Sequence, residues 1–255
     1  MVELQHLSYS SISTYQLCPE AWRRKYIAGE REATSVALLF GSAAHDAIEH
    51  YIAGRQPLDV LWREKLTQQV QQAADIDWGT DTLESLTDEG LRILGAPAVA
   101  TLINSVRDGY DANRELSIER RIELRVPGVP IPIIGYVDII SADGVPGDFK
   151  TAARMWPENK AAQELQPLVY LAALNQAGIN DHNWRFRHYV ITKSAKPSAK
   201  VFECQRSAVE VLTGLFPTIQ QTWIDIQAER FPKNTTTWKC SPRYCGYYAD
   251  CQGGG

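Results

Sequence analysis

The spacing of apolar residues changes period several times along the chain, and those changes divide it into elements. Ser11 to Ile27 opens on Ser/Thr capping candidates and places Ile12, Tyr15, Leu17, Trp22 and Tyr26 at helical spacing, with Pro19 expected to break the run into two helices. Ala37 to Ala53 predicts a second helix, on which Leu39, Phe40, Ala43, Ala44, Ala47, Ile48, Tyr51 and Ile52 make a broad apolar surface and His45 and Glu49 lie one turn apart. Residues 58–113 read as helical, broken near Trp78-Gly79-Thr80-Asp81 and Gly95-Ala96-Pro97.

From Ser117 the period becomes two: Ile118, Arg120, Ile122, Leu124 and Val126, then Ile131 to Ile140, then Gly147 to Thr151, separated by turns at Pro127-Gly128 and Ala142-Asp143-Gly144. This predicts a three-stranded antiparallel meander. Helical spacing returns over Glu158–Ala177, with a kink expected at Pro167. A strand over Trp184–Lys193, a helix over Ser207–Ala228 and a cysteine-rich tail complete the order. The expected fold is α/β: a mixed sheet made of the meander, a crossover helix and a further strand.

At 255 residues and 44% hydrophobic content the chain can bury one sizeable core, so a single domain over 1–255 is expected. Within it, 1–57 would hold the N-terminal helices, 58–116 a helical insertion, 117–230 the α/β core and 231–255 the cysteine cluster. The first residues carry neither a basic stretch nor an apolar run, and no apolar stretch has the length of a membrane span, so the expected location is soluble, intracellular and cytoplasmic. A formal charge of -4 gives no global attraction to nucleic acid. Binding would need local basic surface, for which Arg23-Arg24-Lys25, Arg120-Arg121, Arg185, Arg187, Lys193, Lys196 and Lys200 are available, interleaved with Trp22, Trp184 and Tyr189 as stacking candidates.

Asp138 is the one acid in the apolar run from Ile133 to Ile140, where a carboxylate without a partner would be costly to bury. A turn between its strand and the next would bring Asp148 to the same side, and two carboxylates there make a metal site natural. Asp148 and Lys150, two apart on a strand, share one face while Phe149 points into the core. In isolation that D-x-K pattern reads as a strand salt bridge. Beside Asp138 it reads as oxygen ligands for Mg²⁺ or Mn²⁺ with a lysine that can orient or deprotonate a water, or neutralise charge on a phosphate.

These residues fall within a longer series: Leu7-Ser8-Tyr9-Ser10-Ser11-Ile12 leading to Cys18-Pro19, Gly41-Ser42-Ala43-Ala44-His45, Gly135-Tyr136-Val137-Asp138, Asp148-Phe149-Lys150, Gln166 to Tyr170, and the terminal cysteines. In that order they resemble the RecB-like branch of the PD-(D/E)XK nuclease superfamily, which includes the AddB C-terminal nuclease and the CRISPR-associated iron-sulfur exonucleases. The resemblance implies a restriction-endonuclease-like core and metal ligation by His45, Asp138, Asp148 and the Phe149 carbonyl. It also implies that Lys150 positions the attacking water and that Gln166 and Tyr170 lie beside the site and contact DNA; the basic run at Arg23 and Arg24 offers further candidate DNA contacts on its charge alone. Glu49 and Glu123 stay outside the ligand set. Imidazole ligation implies that Mn²⁺ supports activity at least as well as Mg²⁺.

Five cysteines is an odd number, and without an export signal they suit metal or cluster ligation better than disulfides. Cys18, Cys240, Cys245 and Cys251 resemble the four-thiolate set that holds a 4Fe-4S cluster in this branch, although four residues rather than two separate Cys240 from Cys245. A structural Zn²⁺ site is the alternative, and either would clasp the chain ends together. Cys204 reads as a strand-end cysteine with no ligand role. The implied activity is a metal-dependent DNA exonuclease acting on single strands or ends in recombination, repair or CRISPR spacer processing, beside a helicase or annealing protein. An endonuclease and a non-catalytic DNA-binding module are the alternatives.

Overall fold

The computed structural model describes residues 2–54, 56–110 and 118–253. The stretch 111–117, where the helical region was expected to give way to the first long strand, lies outside these residues.

A two-residue strand β1 (Leu7–Ser8) leads into α1 (Tyr9–Leu17), whose N-terminus Ser8 caps by accepting from the Ser11 N–H at 3.0 Å. Pro19 does break the run: α1 ends at Leu17, and α2 (Pro19–Tyr26) begins on the proline, which needs no backbone donor in a first helical turn. A short strand β2 (Thr34–Ser35) precedes the long helix α3 (Val36–Ile52), capped by Ser35. Then come α4 (Leu58–Gln72), β3 (Ile76–Asp77), α5 (Leu83–Leu94) and α6 (Pro97–Asp108), with breaks where the sequence puts them. The parallel pairing of β2 with β3 was not anticipated, since two residues leave no periodic signal.

The meander consists of β4 (Ile118–Leu124), β5 (Ile133–Ile140) and β6 (Pro146–Ala152), paired antiparallel in sequence. Two helices follow, α7 (Lys160–Gln163) and α8 (Gln166–Gln176), in place of one kinked helix. Pro167 is the cause: it sits in the first turn of α8, where its missing N–H costs nothing, so it starts a helix instead of bending one. The chain then crosses to β7 (Arg185–Thr192), parallel to β6, and returns along β8 (Ala199–Gln205), antiparallel to β7. Strand β8 is additional to the expected order. The helix expected over Ser207–Ala228 is α9 (Ala208–Glu210), a π-helical turn (Val211–Leu215) and α10 (Phe216–Gln227), the wide turn falling just before Pro217. A final helix, α11 (Tyr248–Gly253), carries Cys251.

The sheet runs β1-β5-β6-β7-β8, with β4 on the other edge of β5. One hydrophobic cluster packs α1, α2, α8 and α10 on the sheet through Ile12, Trp22, Leu171, Ile219 and Phe186; another packs α3 to α6 through Phe40, Ala44, Trp62, Ile93, Phe149 and Tyr189. Successive residues of β7 alternate between the two, Phe186 and Val190 facing the first, Tyr189 and Ile191 the second. Among the described residues no helix is long and apolar enough to cross a membrane.

One feature of the sheet makes the site. Strand β5 shares a single edge between two neighbours, β1 at Ile133–Ile134 and β6 at Ile139–Ile140, and the β5–β6 ladder stops after two residue pairs. Beyond that point the strands part, and Asp138 and Asp148 face the opening.

Candidate active site

Where the β5–β6 ladder ends, the Asp138 side chain takes over: its Oδ2 accepts the Phe149 N–H at 2.9 Å. The same oxygen lies 2.7 Å from His45 Nε2 on α3, and that nitrogen is 2.8 Å from the Phe149 carbonyl oxygen. One ligand-capable atom from each of His45, Asp138 and Asp148 falls within 4.8 Å of the others. The loss of ladder pairing is thus what frees the Phe149 peptide to meet two side chains.

Asp148 lies in register with His188 of β7 and is buried. Its Oδ1 accepts from Lys150 Nζ at 2.9 Å and from Gln166 Nε2 at 2.8 Å, and its Oδ2 is 2.7 Å from the same ammonium. Phe149 turns the other way, into the α3 cluster, stacked on Tyr189. Tyr170, one turn after Gln166 on α8, packs so closely on Gly135 that a β-carbon there would sit 3.0 Å from its ring. Gln166 and Tyr170 are both buried, 5% and 7% exposed, and Gln166 is tied to Asp148.

The electrostatics separate the two carboxylates. Burial and the charge of Asp148 push the Asp138 carboxyl up, with His45 acting in the opposite sense. Burial works to raise Asp148 too, but the adjacent Lys150 ammonium outweighs it and keeps Asp148 ionised far below the usual carboxylate range. Burial of Lys150 favours the neutral amine, and Asp148 overrides this, so Lys150 stays a cation. His45 is likewise held charged by Asp138 and Glu49 against its own burial.

Three neighbours had no assigned role in the sequence. Glu49 is buried, with Oε1 3.3 Å from His45 Nδ1, and burial lifts its carboxyl to about 7. Its place one turn after His45 was the signal. His188 is fully buried, its Nδ1 3.8 Å from Asp148 Oδ2, and neither ring nitrogen has a hydrogen-bond partner among the described residues. A lone histidine on a strand offers nothing to find it by. Tyr9, at the start of α1, stands near enough for its phenol to feel the charges of Lys150 and Asp148, so the Leu7–Ile12 segment reaches the site through it.

A model of the PD-(D/E)XK nuclease superfamily matches residues 6–252. The chain belongs to that superfamily. The crystal structure named "Putative exonuclease" from Eubacterium rectale has the same fold, at a TM-score of 0.60 and 11% identity over 94% of this chain and 86% of that one. A crystal structure of SSO0001 aligns at a TM-score of only 0.38 and 14% identity, over 95% and 94% of the two chains. No curated protein matches. The chain is therefore a PD-(D/E)XK nuclease with a restriction-endonuclease-like core; nucleases of this superfamily use divalent metals, and the acidic residues here could bind one.

Several of the residues expected to contact DNA have partners within the nuclease. Arg23 and Arg24 both bind Glu20, and Arg24 also Glu30, so neither guanidinium is free. Arg187 is held by Asp143 and Glu203, and Arg185 lies near the same two acids. Trp22 is fully buried and donates to Ser11, while Tyr189 is buried against Phe149, which removes both as stacking surfaces. Glu123 is bound to Arg125 and Arg121.

Cys18, Cys240, Cys245 and Cys251 line a single cavity together with Arg24, Lys233 and Lys239. Cys18 is the junction of α1 and α2, so the cavity joins the two ends of the chain. Cys204 lies apart, buried in β8, where burial lifts its thiol to about 11.

Proposed function

We propose that this nuclease is a divalent-metal-dependent deoxyribonuclease that digests single-stranded DNA or DNA ends as an exonuclease, in recombination, repair or CRISPR spacer processing. One observation carries the reading: an imidazole nitrogen and two carboxylate oxygens within 4.8 Å of one another, with the Phe149 carbonyl 2.8 Å from that nitrogen. Oxygen-rich donors suit Mg²⁺ and Mn²⁺, and the imidazole favours Mn²⁺. A divalent ion held by His45, Asp138, Asp148 and the Phe149 carbonyl would neutralise charge on phosphate oxygens and acidify water.

The remaining work falls to the protein. Lys150 is the member of its pair that solvent reaches, its side chain 31% exposed against 3% for Asp148. Paired with Asp148, it stands as a cation that can hold the attacking water and offset charge on the phosphate. Gln166 donates to Asp148 and fixes the carboxylate that meets both Lys150 and the ion. Glu49 accepts from His45 Nδ1, and a bound ion would take the place of the Nε2 proton that faces Asp138 in its absence.

The four cysteines around one cavity support a 4Fe-4S cluster, since four thiolates could be drawn from its lining, where Lys233 and Lys239 offer positive charge. Four thiolates leave no open position for water, so this centre clasps the chain and takes no part in hydrolysis. A helicase or annealing protein is the expected partner and the cell interior the expected location.

The test is digestion of linear and circular, single- and double-stranded DNA with Mg²⁺, Mn²⁺ or EDTA. An exonuclease consumes linear DNA and spares circles, an endonuclease cuts both, and a binding module cuts neither. Iron with acid-labile sulfide supports the cluster, and zinc alone overturns it.

A further inference from the structure

We propose that Trp238, Tyr244 and Arg243 form a base-stacking platform for single-stranded nucleic acid, a reading that rests on the proposed nuclease function for its substrate. Trp238 is 66% exposed and Tyr244 50%, whereas Trp22 and Trp62 are fully buried. The two rings stand 5.3 Å apart at 76°, edge to face, so the contact holds them together while half or more of each residue stays exposed. The Arg243 guanidinium lies 5.3 Å over the Tyr244 ring and makes no ion pair among the described residues. Its contact with an aromatic face leaves its charge free for a phosphate.

The surrounding charge selects the occupant. Residues 230–245 contain Arg230, Lys233, Lys239 and Arg243 and no Asp or Glu, in a chain of net charge -4; Arg230 is paired with Asp225 and Lys239 lies 3.9 Å from Glu32, while Lys233 and Arg243 make no ion pair among the described residues. Exposed aromatic rings among cations match a polymer of alternating bases and phosphates, and stacking on such rings needs bases that are not already paired. An acidic polypeptide would meet the cations and leave the rings unused.

Position also fits. Thr237, Lys239, Cys240 and Cys245, the sequence neighbours of the platform, line the cysteine cavity, as does Cys18 at the end of α1. The other end of that helix is Tyr9, which follows β1 where β1 pairs with Ile133–Ile134 of β5, the strand that carries Asp138. Nine helical residues span about 13 Å, so a strand entering the active site reaches the cavity rim within a short length.

The experiment measures binding of the full-length, metal-replete protein to a labelled oligothymidylate by fluorescence anisotropy, with added divalent ions withheld so that nothing is cut. Trp238→Ala and Tyr244→Ala are each expected to weaken binding about 10-fold, and Trp238→Phe to retain most of it. Arg243→Gln, which keeps both rings, is expected to lower the salt dependence by about one phosphate contact. Blunt duplex of equal length should be affected less than the single strand. Ala variants that bind within about twofold of the wild type, or that lose single strand and duplex equally, overturn the platform. Wild-type protein that needs Trp238 to bind yet cleaves nothing would sink the nuclease function and leave the platform standing; wild-type cleavage with unaltered binding by the Ala variants does the reverse.

Discussion

His45 Nε2 and Asp138 Oδ2 lie 2.7 Å apart, and the other ring nitrogen of His45 faces Glu49 at 3.3 Å. An imidazole held at both ends has one orientation. Glu49→Ala is therefore expected to lower Mn²⁺ affinity about 10- to 100-fold, read directly by titration calorimetry, while Glu49→Gln keeps an acceptor and most of the affinity. Equal affinity of the Ala variant and the wild type would leave Glu49 with no part in the site.

Asp148 and Lys150 should behave differently when removed. Either alanine variant is expected to reduce cleavage of labelled single-stranded DNA at least about 100-fold. Lys150→Ala also strands a buried carboxylate with Gln166 as its main donor, at a cost of about 2 kcal/mol, placed low because the ammonium side chain is a third exposed. Asp148→Asn avoids that charge and should unfold nearer the wild-type urea midpoint. A variant that digests DNA at the wild-type rate refutes the assignment.

Much of this was legible because each signal was local. Asp138 stood alone in an apolar strand, and the D-x-K spacing put Asp148 and Lys150 on one face regardless of context. Strand β8 escaped because Phe202 and Cys204 are its buried residues, too few to set a period. What depends on tertiary geometry could not be seen: the early end of the β5–β6 ladder, the burial of His188 behind Asp148, and the capture of Arg187 by Asp143. A basic residue in sequence says nothing of the acid that folding brings to it.

The helical layer against α3 depends on one close approach. A β-carbon on Gly90 would lie 2.0 Å from the buried Trp62 ring, whose indole N–H donates to the Thr87 carbonyl at 2.9 Å. The indole cannot retreat without losing that bond. Gly90→Ala gains helix propensity worth about 1 kcal/mol and still should destabilise by about 2 kcal/mol net, seen as a lower urea midpoint. A stabilised variant would mean that α4 and α5 separate freely.

Acid should weaken the loop that joins β5 to β6. Arg187 binds both Asp143 oxygens, at 3.0 and 2.6 Å, and Ser141 donates to Oδ1 at 2.6 Å. Burial acts to raise the Asp143 carboxyl, but Arg187 prevails and lowers it from 3.8 to about 2. A depressed carboxylate contributes stability in full above its unfolded value near 3.8, and loses it as pH falls toward 2. Its side chain is 44% exposed, so solvent screening reduces the contribution to less than about 1 kcal/mol. Asp143→Asn should thus lower the urea midpoint slightly at pH 7 and converge with the wild type near pH 2. An equal gap between the two proteins at both pH values would mean that the lost stability came from packing rather than from the charge on Asp143.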